Sequence, residues 1–271
     1  MSRARLHLRA CAAAFTFLTR LPTYAIGGHD TSDLALATTY FPLVGTVVGA
    51  IGGFVFAVSV LVWPVPLAVM LSVAATVLTT GAFHEDALAD ALDGFGGGWN
   101  RQQILAIMKD SRVGSYALVG VALVLGAKLV ALTTIGTAQL DANLVADPHH
   151  GIGAFMRALV AAHVLARWSS VPLIWRYPYV RPEGDGERPS AGRPFAAGVT
   201  SAYVVAASIL SLTIVALALG LRGLLVVGVA LAVTGLSGWF FDRRLGGITG
   251  DALGAANQFV ELAVYLALAT R

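Results

Sequence analysis

The chain has 271 residues, of which 57% are hydrophobic and 12% charged, with mean hydropathy +0.76, a formal net charge of +3 and a pI near 9.2. Soluble globular domains carry about 25% charged residues, so half that share excludes an ordinary soluble fold and points to a polytopic membrane protein. The single cysteine, Cys11, excludes an intrachain disulfide, and no long basic run points to a nucleic-acid partner.

The first element, MSRARLHLRACAAAFTFLTRLP, has the basic start and short apolar middle of a signal peptide. Arg20 and Pro22 close it short of the about 20 residues that a spanning helix needs. Leu6, Ala10, Phe17 and Leu21 share one helical stripe, so the segment reads as an amphipathic interfacial helix rather than a cleaved signal.

Seven apolar stretches long enough to span follow, at about 34–62, 64–82, 113–135, 153–175, 198–219, 223–240 and 252–270. The first carries Gly45, Gly49, Gly52 and Gly53, which permit close helix packing. Pro64 and Pro66 suit a tight turn into the second. No segment reads as an independent soluble domain. Residues 1–271 are therefore expected to form one all-α, polytopic membrane bundle of about seven transmembrane helices plus the N-terminal interfacial helix.

Lys and Arg set the expected orientation. With the N-terminus inside, 13 of the 18 cations fall on the cytoplasmic side: Arg3, Arg5, Arg9, Arg20, Arg101, Lys109, Arg112, Arg176, Arg181, Arg188, Arg193, Arg243 and Arg244. Only Arg222 and Arg271 fall outside, and the outer segment 136–152 has Asp141, Asp147, His149 and His150 but no Lys or Arg. Lys128, Arg157 and Arg167 lie within spans, where Lys128 is expected to snorkel outward.

The second stretch runs into EDALADALDG (85–94) and then GFGGGWN (94–100). Asp86, Asp90 and Asp93 are spaced i, i+4, i+7, which places all three within about a 60° arc of one helix face. Carboxylates so close repel unless a cation, a basic side chain or a proton relieves them. An oxygen-only set suits a hard ion such as Mg²⁺, which keeps waters and shares its sphere with substrate phosphates. The plainer alternative is a solvated helix end, although the C-terminal end of a helix disfavours acids. His84 and Glu85 point away from this face and read as structural.

Gly94, Gly96, Gly97 and Gly98 allow close backbone approach to a ligand, or simply a flexible turn, and they match no nucleotide-binding fingerprint. MKDSRVGSY adds Lys109, Asp110 and Arg112, two phosphate-capable cations around another oxygen ligand; alone, it is an ordinary positive-inside anchor. GGITGDALGA opens the last stretch with Asp251, which also suits a helix N-terminus. Glu261 lies deep in that stretch and needs a partner; a pair with Arg167 is conceivable.

Taken in order, FLTRLP (17–22), YFPLVGTVVGA (40–50), HEDALADALDGFGGG (84–98), MKDSRVGSYA (108–117) and GGITGDALGA (246–255) resemble the cobalamin synthase, or adenosylcobinamide-GDP ribazoletransferase, family. The resemblance runs from near the N-terminus to the last span. The family pattern reads closer to HLDGLADTADG; Glu85 and Ala87 depart from it, while Asp86, Asp90, Asp93 and Gly94 remain.

The resemblance implies a Mg²⁺-dependent phosphotransferase at the inner membrane of a prokaryote, with its active site facing the cytoplasm. It would join α-ribazole, or its 5′-phosphate, to adenosylcobinamide-GDP and release GMP. It implies catalytic and metal roles for Asp86, Asp90 and Asp93, with Asp110 and Asp251 as further ligands. Lys109, Arg112 and Arg20 would neutralise phosphates beside Gly96 and Gly97. The partners would be these substrates and the lipid bilayer, with room for contact with other cobalamin-assembly enzymes and with the oligomeric state left open.

Two rivals stand beside this reading. A Mg²⁺-dependent membrane prenyltransferase also uses Asp-rich helices, but its usual Asn-Asp opening is missing. A secondary transporter would use Asp86, Arg167 and Glu261 as pathway charges, but no inverted repeat is visible.

Overall fold

The computed structural model describes residues 2–23, 31–143, 148–180 and 193–270. The side chains of Asp141, Asp147, His149, His150, Arg181, Arg188 and Arg193 lie outside what it describes. Every regular element among the described residues is a helix, apart from one isolated bridge between Tyr179 and Ile248. In chain order the helices are α1 (Arg3–Leu18), α2 (Thr31–Ala37), α3 (Phe41–Ser59), α4 (Val65–Thr80), α5 (Phe83–Gly97) and α6 (Arg101–Lys109). They continue with α7 (Ser115–Asn143), α8 (Pro148–Arg176), α9 (Arg193–Ala196), α10 (Ser201–Leu219), α11 (Gly223–Leu245) and α12 (Gly250–Leu268).

α1 buries Ala10, Ala13, Ala14 and Leu18 against Phe41, Trp168 and Phe195, as an amphipathic helix should. α3 and α8 form the tightest pair, through Gly45, Gly49 and Gly53 at four-residue spacing. A methyl on Gly49 would stand 2.7 Å from Val160 Cα, and one on Gly53 2.6 Å from Met156 Cγ. The backbones touch there because no side chain intervenes. Gly52 faces α4 instead, where Ser72 Oγ donates to its carbonyl at 2.8 Å.

Among the described residues, four helical stretches are long and apolar enough to cross a membrane: Leu34–Ser59, Ser115–Ala138, Gly151–Arg176 and Ser201–Leu245. A fifth is obtained if α4 and α5 count as one bent span. The expected count of seven is therefore not reproduced, for three reasons. α4 has only 16 residues, about 24 Å of helix at 1.5 Å per residue. Ser201–Leu245 holds two of the expected spans, parted at Gly220 (φ 56°, ψ −135°). A methyl on Gly223 would stand 3.0 Å from Val215, eight residues back, whereas a straight helix would separate them by about 12 Å; the chain therefore turns. Finally, α12 is a buried, partly polar helix at the centre, packed against α5, α7, α8 and α11.

Candidate active site

α4 ends at Gly81 with φ 66°, and Ala82 follows with φ 58°. A left-handed alanine costs about 1–2 kcal/mol, so the surroundings must hold it. The Ala82 N–H closes back on Val77 O at 2.9 Å, and the Arg20 N–H donates to Thr79 O at 2.8 Å. The Arg20 side chain lies across Gly81, where a methyl would strike its guanidinium. The result is an 88° elbow between α4 and α5. The acids therefore do not close the second span, as the sequence suggested. They open a new helix: Glu85 and Asp86 occupy its first turn, where the helix dipole favours them.

The glycine run is likewise no loop. Gly94, Gly96 and Gly97 are helical, and Gly98 caps α5. Their missing side chains admit neighbours: a methyl on Gly94 would meet Met108 Cγ at 2.6 Å, and one on Gly96 the Tyr116 ring at 2.5 Å. Gly97 faces Ile107. These glycines seat α6 and α7 against α5.

α5 buries His84, Ala87, Leu88, Ala91 and Gly94. Gly254 of α12 presses on Ala87 so closely that any side chain there would collide with it. Asp86 is left exposed, with Asp90 and Asp93 half-buried on the same face. Asp93 Oδ2 accepts the Gly114 N–H at 2.6 Å, and its Oδ1 accepts the Ala117 N–H at 2.8 Å. It thereby caps the start of α7 from a different helix and pins the 109–114 loop to α5.

In that loop Lys109 is exposed at the end of α6. Asp110 and Arg112 are not separate arms but one ion pair: Nε of Arg112 reaches Asp110 Oδ1 at 3.0 Å, with Nη2 on Oδ2. The Arg112 guanidinium, helped by its own backbone N–H, holds the Asp110 carboxyl down to about 2. Asp251 stands in the first turn of α12, whose cap is Thr249, accepting the Ala252 N–H at 3.1 Å. Among the described residues, no three His, Cys, Asp or Glu side chains gather into a metal-ligand set. A polar strip thus runs along α5 from Arg20 at the elbow, through Asp86 and Asp90, to Asp93 and its loop.

An apolar cavity of about 810 Å³ lies between α5, α7, α11 and α12, lined by Phe95, Tyr116, Phe240, Phe241 and Phe259. Its α5 wall is Ala91, Leu92, Phe95 and Gly96, roughly opposite the acid face at 100° per residue. The acids do not open into it.

Sequence reasoning missed the inner side of α5. Lys128 does not snorkel; it is 2% exposed and donates to Glu261 Oε1 at 2.8 Å and to Gln258 Oε1 at 2.6 Å. Arg167 Nη1 reaches Glu261 Oε2 at 3.4 Å, so the conceivable pair is present, and the same nitrogen contacts His163 Nδ1 at 2.7 Å. Gln258 Nε2 donates to Glu85 Oε1 at 3.2 Å. The available signal was Gln258 and Glu261 one turn apart, together with a lysine in mid-span.

The family described as cobalamin-5-phosphate synthase matches residues 10–269. A protein of Leptothrix cholodnii named adenosylcobinamide-GDP ribazoletransferase is 40% identical over 258 residues, 93% of this chain and 92% of the relative. Proteins of the same name from Shewanella amazonensis and Ralstonia nicotianae are 36% and 38% identical, covering 99% and 97% of this chain and 97% and 96% of theirs. No solved structure matches. With the match spanning α1 to α12, and the acid helix, its pinned loop and the Thr249-capped α12 all inside it, the chain belongs to the cobalamin-5-phosphate synthase family.

Proposed function

We propose that this protein joins α-ribazole, or its 5′-phosphate, to adenosylcobinamide-GDP, giving adenosylcobalamin, or its 5′-phosphate, and GMP. The name shared by full-length relatives supports the reaction. The observation that carries it to a site is the polar strip on α5. Exposed Asp86 and half-buried Asp90 are flanked by Arg20 at one end and by the Asp93-pinned loop with Lys109 and Arg112 at the other.

In the reaction, the ribazole 3′-hydroxyl oxygen forms a bond to the phosphorus that carries cobinamide. The bond from that phosphorus to the bridging oxygen breaks, and GMP leaves with the electron pair. The hydroxyl proton passes to a carboxylate of α5. Such transfers rest on positioning and charge neutralisation. Arg20 and Lys109 would hold phosphate oxygens, and Arg112 would do so while orienting Asp110. Asp93 would keep that loop against α5.

The donors fit Mg²⁺ as an open site: Asp86 and Asp90 offer oxygens one turn apart on an accessible face, leaving positions for water and phosphate. Asp93 retains a lone pair on each oxygen beyond its backbone bonds, and Asp251 would be a further ligand. Bound there, the ion would shield the diphosphate charge. The strip faces the cytoplasm in this reading. The cation bias supports that, as does Arg244 of α11, whose Nη2 donates to Gly98 O at 3.1 Å and so sets basic residues at the same end as α5.

The test is GMP formation from adenosylcobinamide-GDP and α-ribazole by purified protein with Mg²⁺. Asp86→Asn and Asp90→Asn should each lose several orders of magnitude while inserting normally. Parental turnover in both would overturn the site.

A further inference from the structure

Resting on that reading of the α5 acids, we infer that Gln258 is a positioning residue: through Glu85 it ties α5 to the buried ion pair and fixes the roll of α5 about its axis. The tie has a defined polarity. Lysine can only donate and a carboxylate only accept, so the amide must turn its oxygen to Lys128 and its nitrogen to Glu85. The distances, 2.6 and 3.2 Å, agree. Gln258 is 1% exposed, which keeps its amide away from bulk water. The anchor beneath it is rigid as well: Lys128 is also held by Glu261, which Arg167 grips from α8.

The tie adds a directional polar contact to apolar packing: Ala87 lies on Gly254 of α12, with Leu88 and Ala91 in the same buried cluster as Ala252 and Ala255. Glu85 and Asp86 are consecutive and so diverge by about 100° around the helix. Holding Glu85 inward against α12 therefore holds Asp86 outward. A roll of 20° would sweep a carboxylate about 6 Å from the axis through about 2 Å, and misplacement of 1 Å costs on the order of 100-fold in rate. The tie also balances charge: Glu85 and Glu261 face Lys128 and Arg167, two of each sign, in one connected set.

The experiment exchanges the two partners. In a Cys11→Ala, Ala89→Cys background, the new thiol sits on the flank of α5 between Glu85 and the acids. Its labelling rate by a hydrophilic maleimide reports roll without reference to activity. Gln258→Glu sets a carboxylate against Glu85 and Gln258→Leu removes the tie. Each should shift labelling at least about threefold and, without the reporter cysteine, lower kcat about 10- to 100-fold with little change in KM, as loss of a transition-state alignment does. The exchange Glu85→Gln with Gln258→Glu restores every donor and acceptor and should recover most of both readouts and the parental melting temperature. Labelling and kcat like the parent in Gln258→Leu would overturn the inference, as would an exchange no better than Gln258→Glu alone. If the parent forms no GMP, the functional reading fails by itself, and labelling of the same variants still decides whether Gln258 sets the roll.

Discussion

Replacing Asp93 by alanine separates what this acid does for the fold from the substrate role proposed for it. Its two oxygens accept N–H bonds from Gly114 and Ala117 at 2.6 and 2.8 Å. Hydrogen bonds to a charged group contribute about 1.5–3 kcal/mol each, and these two are partly open to water, so the lower end applies and the pair is worth about 2–3 kcal/mol. For a domain of this size that is a fall in melting temperature of about 4–10 °C. The loop reports the same loss: at 1.36 kcal/mol per tenfold, its opening should rise about 30- to 150-fold. Trypsin should then cut after Lys109 and Arg112 correspondingly faster, since cleavage follows the open population when reclosing is fast. Asp93→Asn keeps one acceptor oxygen and should lose about half as much in each assay. The assays are melting in detergent, a tryptic time course and GMP formation on the same preparation. If Asp93→Ala melts within about 1 °C of the parent and is cut no faster, yet forms no GMP, the capping argument is wrong and Asp93 acts only on ligand.

The buried ion pair should be unequal in its parts. Glu261→Gln strands both Lys128 and Arg167 and should reduce folded yield more than Lys128→Met, which leaves Glu261 with Arg167; breaking such a pair costs about 3–5 kcal/mol, and equal yields would refute the shared role of Glu261. The Asp110 carboxyl, held at about 2 against an ordinary 3.8, contributes its pairing fully above the ordinary value and loses it as pH falls through the lowered one. Arg112→Ala should return it toward 3.8 in a carbon-detected NMR titration and slow GMP release about 10- to 150-fold, with activity above pH 5 free of any Asp110 step; an unmoved titration would refute the pairing. Trp99→Cys in a Cys11→Ala background should be labelled in inverted vesicles and not from outside sealed cells; labelling from outside would reverse the orientation.

Several features of this protein follow from sequence alone, because they depend on spacing within one segment. Low charge and long apolar runs fix a helical membrane protein. Glycines at four-residue spacing predict the face on which α3 meets α8, and acids at i, i+4, i+7 share a face whichever helix carries them. The family was legible for the same reason, as five short motifs in order. What the sequence left open depends on partners far along the chain. Gly81 marks a break, but Ala82 is no turn former; its left-handed backbone is held by its own N–H on Val77 O and by Arg20 across Thr79 and Gly81, and the chain elbows there at the end of an expected span. The glycine run lies within a helix, where its missing side chains admit Met108 and Tyr116. Lys128 points inward because Gln258 and Glu261, 130 and 133 residues away, offer oxygens that a lipid-facing side chain would have had to seek at the membrane surface. Hydropathy registers a lysine in mid-span but not which way it faces; packing against α12 decides that, and with it which side of α5 is buried.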